Sequence, residues 1–229
     1  MKHTPSHQRS HTPAHARAKH VGPRRTLGAA LVCLALAAGG VALLAGCSST
    51  PRQPEAPTLG SLDEAMTYAK QAEAAQREGQ FAKAAELNQK ALRLRDDLGG
   101  VWNDLGVCLI EMEQYMPARD ALLRAADLLP TDPRPFENLG LMFTRAGFAE
   151  EALKNYVRAL ERDPNWLPAL RGATWAQKEL LKSDHAGLER AKLGKFIETD
   201  PKWKAIFQTE AMRIEQDLAE ANKSEQIRT

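Results

Sequence analysis

The sequence predicts an all-α fold in which antiparallel helix hairpins stack into an α-solenoid that ends in a capping helix. Three observations predict it: a 34-residue repeat of large and small residues, amphipathic spacing within each repeat, and prolines between repeats. The 229 residues are enough for one or two domains with a core of ordinary size. The Gly, Pro and Cys counts exclude collagen-like, mucin-like and disulfide-scaffold proteins.

The N-terminal segment has the order of a secretory signal. Residues 1–25 contain six Lys/Arg and no acidic residue, and no charged residue follows from Thr26 to Pro51. Leu27 to Leu44 is an apolar run, and the small residues Ala45 and Gly46 precede Cys47. A basic region, an apolar region and small residues before a cleavage point are typical of exported proteins. The Leu-Ala-Gly-Cys ending resembles the bacterial lipoprotein signal.

The lipoprotein resemblance implies that residues 1–46 are removed and that Cys47 carries acyl chains that hold the protein in a membrane. Ser48, directly after Cys47, implies sorting to the periplasmic face of an outer membrane where the cell has one. The alternative is an uncleaved inner-membrane signal anchor, although Leu27 to Leu44 is at the short end of what spans a bilayer. Residues 47–60, rich in Pro and Ser, are expected to form a disordered linker.

The rest of the chain is mildly acidic. Residues 48–229 hold 25 Lys/Arg and 29 Asp/Glu, a net charge of −4. A nucleic-acid-binding protein needs a basic surface to displace the counterions of the phosphates. We therefore expect no nucleic-acid partner.

The repeat is clearest in residues 99–132 and 133–166. In the first of these windows the large, small and breaker residues are Trp102, Leu105, Gly106, Leu109, Ala118, Leu122, Ala125 and Pro130. Adding 34 to each number finds Phe136, Leu139, Gly140, Phe143, Ala152, Tyr156, Ala159 and Pro164. This pattern resembles the tetratricopeptide repeat (TPR), and the resemblance implies a right-handed α-solenoid of tetratricopeptide helix hairpins. Glycines 106 and 140 are expected where helices cross closely.

Two degenerate copies and a cap complete the prediction. Residues 61–98 form a first copy, and Ser61 and Glu64 are expected to form a capping box at the start of its first helix. Residues 167–200 form a fourth copy about three residues longer than the others, because Pro201 follows Pro164 by 37 residues. Leu181 and Phe196 are expected to pack inside this copy. Residues 201–222 form the capping helix, with Glu210 on its polar outer face, and 223–229 a disordered tail.

No combination of residues predicts catalysis. The body of the protein has a single histidine, His185, and Cys108 is its remaining thiol once Cys47 is acylated. Metal sites need several His, Cys or carboxylate ligands at suitable spacing, and we identify none. We expect neither an enzyme nor a bound metal, cofactor or small-molecule substrate, and interpret Cys108 as an inert packing residue.

The family resemblance implies a concave groove, lined by the first helix of each copy, that holds a peptide or a helix of a partner protein. Carried over position by position, the groove residues are Asn103, Val107, Ile110, Glu111, Arg134, Glu137, Asn138, Leu141 and Arg145, with Lys70, Glu73 and Arg77 from copy one. Asn103 and Asn138 are expected to bind a peptide backbone, because an amide both donates and accepts. The alternative is a solvated surface without a ligand.

Some family members clamp a C-terminal carboxylate with basic and Asn side chains, but Ala69 and Glu73 occupy two of those positions here. The sequence therefore predicts a membrane-anchored protein–protein interaction scaffold that faces the periplasm and helps assemble an envelope machine such as a pilus or a secretion channel. The alternatives are an adaptor that recruits a peptidoglycan hydrolase or a protease, and a spacer with a structural role only.

Overall fold

The computed structural model describes residues 59–228, which form nine α-helices and no strand. The predicted signal peptide, Cys47 and residues 47–58 of the predicted linker lie outside the described residues. The helices are α1 (Leu59–Arg77), α2 (Phe81–Leu94), α3 (Gly99–Glu111), α4 (Tyr115–Leu128), α5 (Arg134–Arg145), α6 (Ala149–Leu160), α7 (Leu167–Glu179), α8 (His185–Ile197) and α9 (Pro201–Arg228). None of the helices in residues 59–228 combines the length and the hydropathy needed to cross a bilayer.

The helices pack as four consecutive hairpins followed by a cap. In each hairpin the two helices contact each other, and the second helix also contacts the first helix of the next hairpin. The first helices α1, α3, α5 and α7 contact one another in sequence order, and α9 packs on α8 and α7. One hairpin cannot bury its apolar side alone, so stacking creates the core. The predicted solenoid with a C-terminal capping helix is confirmed.

Small and large residues interlock as the repeat predicts. A Cβ atom on Gly106 would lie 2.5 Å from Cγ of Leu122, and one on Gly140 would lie 2.6 Å from the Tyr156 ring. Each glycine therefore lets the large side chain of its own hairpin reach the neighbouring helix. Phe136 is buried, and Trp102 is half-buried with its indole N–H donating to the Asp96 carbonyl at 2.8 Å.

The turn within every hairpin contains one residue with left-handed backbone. These residues are Gly79, Glu113, Gly147 and Leu181, with φ of 74°, 59°, 82° and 50°. They are 34 residues apart, so the fourth copy keeps the repeat register as far as Leu181. The prediction that Leu181 packs inside the fourth copy was wrong. The residue is 77% exposed, because it forms the turn.

The register shifts after Leu181. The buried positions of α8 follow those of α6 by 35 residues and not by 34. They are Gly187, Leu188, Ala191 and Gly194 on α8, which correspond to Ala152, Leu153, Tyr156 and Ala159 on α6. One extra residue has thus entered at the turn, where Asp184 caps α8 by accepting from the Gly187 N–H at 2.6 Å. The remaining extra length lies at the end of α8, and Phe196 is 84% exposed there, so its predicted packing was also wrong.

Two predicted boundaries require correction. Helix α1 begins at Leu59, so Ser61 lies in its first turn and is not its N-cap. Helix α9 continues to Arg228, so residues 223–228 of the predicted disordered tail are helical. Residues 202–228 contain neither Gly nor Pro, and the Gln216 amide donates to Glu220 one turn later at 2.9 Å. No helix breaker therefore ends α9 at the predicted position.

The capping helix is held against the α7–α8 turn by Arg213. Phe207, Ala211 and Ile214 are buried as predicted, but Glu210 is only 4% exposed and its predicted outward position was wrong. The reason is that Glu210 pairs with Arg213. The guanidinium of Arg213 donates to Glu210, to Asp217, to Ser183 Oγ and to the Lys182 carbonyl. These contacts tie α9 to the α7–α8 turn.

Candidate functional site

The first helices of copies two, three and four present matching triplets of side chains. Residues four apart on a helix share a face, and corresponding residues on successive first helices are separated by 34. We call the nine residues the first-helix surface: Asn103, Val107 and Glu111 on α3; Glu137, Leu141 and Arg145 on α5; Arg171, Trp175 and Glu179 on α7. Six of the nine predicted partner-binding residues belong to this surface.

The middle row of this surface is apolar. Val107 and Leu141 are half-buried, and Trp175 is 43% exposed. Trp175 was not among the predicted partner-binding residues. The ammonium group of Lys178 lies 5.4 Å from the centroid of the Trp175 ring. Trp175 is recognisable only by adding 34 to Leu141, which requires knowing that the fourth copy keeps the register on α7. The side chains along this row grow from valine to leucine to tryptophan.

The outer row contains an ion pair between repeats. Nη2 of Arg145 donates to Oε1 of Glu111 at 2.8 Å, across the contact of α5 with α3. Both side chains keep about a third of their surface exposed (39% and 29%). Such a pair contributes about 0–1 kcal/mol to stability. The two predicted partner-binding charges therefore neutralise each other in the free protein.

The two asparagines bind each other. Nδ2 of Asn138 donates to Oδ1 of Asn103 at 2.9 Å, and the residues are only 8% and 5% exposed. The geometry does not support their predicted role in binding a peptide backbone, because both side chains are almost fully buried and are bonded to each other. The pair instead fixes α5 against α3.

Two further predicted residues, Ile110 and Arg134, are not free to bind a partner as expected. Ile110 is completely buried and lies beneath the surface, so it supports the surface without lining it. Arg134, at the start of α5, is exposed and donates to both carboxylate oxygens of Asp132 two residues earlier. In copy one, Arg77 pairs with Glu73 at 3.1 Å on the same helix and Lys70 is exposed.

Glu137 differs from the other charges of this region. Its carboxylate has no hydrogen bond or ion pair within residues 59–228, although the residue is half-buried. Burial raises the pKa of this carboxyl to about 7, since desolvation disfavours the charged form. The corresponding residue on α7, Arg171, is held by Glu198 through two hydrogen bonds of 2.8 and 2.9 Å.

The structure also has a cleft that sequence reasoning missed. It lies between α6 and α8, has a volume of about 890 Å³, and is lined by Leu153, Val157 and Leu180. Its edges mix both signs of charge, with Lys154 and Arg158 beside Glu150. No pattern in the sequence indicates this cleft, because the packing of α8 on α6 is known only from the structure.

Within residues 59–228 no cluster of three or more His, Cys, Asp or Glu residues is arranged to hold a metal ion. Cys108 is completely buried on α3, and burial raises the pKa of its thiol to about 11. His185 is exposed at the start of α8, a helix that α3 does not contact. The two residues therefore do not form a nucleophile–base pair.

Comparison with solved structures identifies the fold as that of tetratricopeptide-repeat domains. The Arabidopsis OM64 TPR domain matches with a TM-score of 0.51 and 16% identity, over 52% of this chain and 99% of that one. YrrB, described as a TPR protein with an unusual peptide-binding site, matches with a TM-score of 0.51 and 24% identity over 61% and 71%. The first TPR of Spaghetti (RPAP3), bound to an HSP90 peptide, matches with a TM-score of 0.50 and 16% identity over 53% and 96%.

Curated relatives match only part of this chain. The general transcriptional corepressor ssn6 of Schizosaccharomyces pombe is 31% identical over 91 residues, which are 38% of this chain and 8% of that protein. The corepressor trfA of Dictyostelium discoideum is 30% identical over 86 residues, 37% of this chain and 6% of that protein. The chain thus spans less than a tenth of the length of these two relatives. No protein-family model matches the chain.

Proposed function

We propose that this chain is a protein–protein interaction scaffold whose first-helix surface binds a peptide or helix of a partner protein. One observation carries the proposal: Val107, Leu141 and Trp175 form an apolar row at the same position of three consecutive repeats, and Trp175 is 43% exposed. An exposed aromatic residue beside half-buried aliphatic ones is typical of binding surfaces. The peptide-binding descriptions of YrrB and of the RPAP3 domain support the proposal by analogy of fold.

We assign partner binding to those predicted residues that keep accessible surface. Val107, Leu141 and Glu137 would contact the partner directly, with Trp175 added. Glu111 and Arg145 would contact it as a neutral pair. Asn103, the buried member of this surface, pairs with Asn138 and holds α3 against α5. Ile110 is buried beneath the surface, and Arg134 lies at the start of α5. No catalytic residue, cofactor, nucleic acid or small-molecule substrate enters this function.

Site-specific photocrosslinking tests this proposal. A benzoylphenylalanine introduced in place of Leu141 or Trp175 in the full chain, in its native cell, should crosslink to a discrete protein on irradiation. The matched control is Leu123, which is 41% exposed on α4 and does not belong to the first-helix surface. Equal crosslinking from Leu123, or none from either test position, would contradict the proposal.

We further propose that the scaffold is lipid-anchored through Cys47 and faces the periplasm, because the Leu44–Cys47 motif follows a basic and an apolar segment. The native chain should incorporate a labelled fatty acid and Cys47→Ser should not. Labelling that persists in Cys47→Ser would overturn Cys47 as the acylated residue. A native chain without label would overturn the lipid anchor and leave the inner-membrane signal anchor as the alternative.

A tethered scaffold would help assemble an envelope machine such as a pilus or a secretion channel. The rival role is an adaptor for a peptidoglycan hydrolase or a protease. Mass spectrometry of the protein crosslinked through position 141 or 175 decides between the two roles. A spacer with a structural role only would give no crosslinked partner.

A further inference from the structure

The charged residues of the first-helix surface are satisfied within the protein, with two exceptions. Glu111 pairs with Arg145, and Arg171 pairs with Glu198. Glu179 forms no ion pair within residues 59–228, but it is exposed and therefore solvated. Glu137 is solvated less well, because it is half-buried and has neither a hydrogen bond nor an ion pair in the described part of the chain. It is therefore the carboxylate here that gains most from an external cation.

The two arginines of α5 are held by other carboxylates, Arg134 by Asp132 and Arg145 by Glu111. Polar groups of neighbouring helices are likewise engaged elsewhere. On α3, the side chain of Asn103 is occupied by Asn138. On α6, the Tyr156 hydroxyl bonds to the Thr144 hydroxyl at 3.2 Å. On α7, the guanidinium at the corresponding position, Arg171, is held by Glu198.

A half-buried carboxylate without a partner costs free energy in the isolated protein. A Lys or Arg side chain from a partner would remove that cost and add a charge-assisted hydrogen bond. Glu137 and Leu141 are one helical turn apart, with Cβ atoms about 5–6 Å from each other. The same partner segment can therefore reach both residues.

Resting on the function proposed above, we propose that the partner segment carries a Lys or Arg that pairs with Glu137, next to an apolar side chain that packs on Leu141. The two partner residues lie on one side of the segment. They are separated by three or four positions if the segment is helical and by two if it is extended. Further apolar residues of the segment pack on Val107 and Trp175. The occupant is thus an amphipathic segment that places a basic and not an acidic side chain at Glu137.

A peptide selection tests this inference. The full chain, purified in detergent, is used to select binders from a random peptide library displayed on phage. Enriched sequences should contain a Lys or Arg two, three or four positions from a large apolar residue. The affinity of one enriched peptide is then measured for the native chain and for Glu137→Gln, Glu225→Gln and Leu141→Glu, each checked for native circular dichroism.

Glu137→Gln should weaken binding of the peptide about tenfold. Replacing the Lys or Arg of the peptide by norleucine should lower its affinity for the native chain by the same factor. The same replacement should leave the affinity for Glu137→Gln almost unchanged. Glu225→Gln, the matched control, replaces an exposed glutamate of α9 outside the first-helix surface and should change affinity by less than about twofold. If Leu141→Glu abolishes binding but Glu137→Gln and the norleucine peptide do not weaken it, the Glu137 inference is overturned and the proposed function stands. If no selected peptide depends on Leu141, both are overturned.

Discussion

The Asn138 side-chain amide donates a hydrogen bond to the Asn103 carbonyl oxygen at 2.9 Å, and this bond joins the first helices of copies two and three. Both side chains are almost fully buried. A buried amide that loses its partner keeps the cost of its desolvation. The pair therefore sets the spacing of α3 and α5, on which the first-helix surface is built.

Asn138→Ala should lower the free energy of unfolding by about 1–3 kcal/mol, because it leaves the Asn103 oxygen buried without a donor. Urea denaturation followed by circular dichroism measures the change. The control is Asn165→Ala, at an exposed position before α7, which should cost less than about 0.5 kcal/mol. Equal effects of the two substitutions would show that the buried amide pair contributes nothing.

Leu181→Gly should raise stability by a few tenths to about 1 kcal/mol, because Leu181 has φ of 50° and its side chain is exposed. Glycine adopts this backbone without steric cost, although it also gains entropy in the unfolded chain. The reciprocal change Gly147→Leu, at φ of 82°, should destabilise by about 1–2 kcal/mol. The comparison is made by thermal melting, and melting temperatures that move in the same direction for both variants would contradict the argument.

Glu198→Gln should destabilise the protein by about 1–3 kcal/mol at neutral pH, because Arg171, which is 33% exposed, would lose its counter-ion. Burial alone would raise the pKa of Glu198, but the backbone N–H of Asp200, the Arg171 guanidinium and the N–H of Thr199 together lower it. A carboxyl whose pKa is lowered by folding stabilises the fold above its unfolded pKa, and the effect is lost as the pH falls through the folded pKa.

The gap in stability between the native chain and Glu198→Gln should therefore close as the pH falls below about 4. Urea denaturation at a series of pH values measures this gap. A gap that stays constant into strong acid would exclude the ion pair as its cause.

Glu137 should have the opposite pH dependence. Its pKa is raised to about 7 by burial, so the folded state binds this proton more tightly than the unfolded state. The contribution of Glu137 to stability then falls as the pH rises from about 4.5 to 7. Glu137→Gln should consequently stabilise the fold at pH 8 by roughly 1–3 kcal/mol, and by almost nothing at pH 4. If Gln at this position destabilises the fold at pH 8, the carboxylate has an internal partner.

Cys108 should resist thiol reagents in the folded protein, because it is fully buried and its pKa is raised to about 11. The test uses a Cys33→Ser, Cys47→Ser variant, in which Cys108 is the remaining thiol, and measures reaction with a chromogenic disulfide at mildly alkaline pH. Reaction should be slow until a denaturant is added. Rapid reaction without denaturant would show that α3 opens readily or that the thiol is accessible.

The hairpins were predictable because their determinants are local and repeated. Gly106, Leu122, Gly140 and Tyr156 recur at a fixed spacing, and each pair meets within one hairpin. The fourth copy was harder, since its register holds on α7 and shifts by one residue on α8. A shift of this kind is visible only when the buried positions of α8 are known, and Leu181 looks like a packing residue until its backbone conformation is seen.

The candidate site was predictable in position but not in detail. Val107, Glu111, Glu137, Leu141 and Arg145 lie on the first-helix surface as expected. Their partners do not follow from spacing, because the same 34-residue period that aligns Glu111 with Arg145 would equally align Glu137 with Arg171. The first two residues pair, while Arg171 turns to Glu198, a residue beyond the end of α8.

The amino-acid order by itself determined the solenoid, the number of its hairpins and the side of each first helix that faces outward, because these depend on periodic burial along single helices. The tertiary structure decided which of those outward residues are occupied and which are free. That choice depends on angstrom-scale distances between helices distant in the chain. Only when α7 and the end of α8 are packed together does Arg171 bind Glu198, and only then is Glu137 left without a counter-ion.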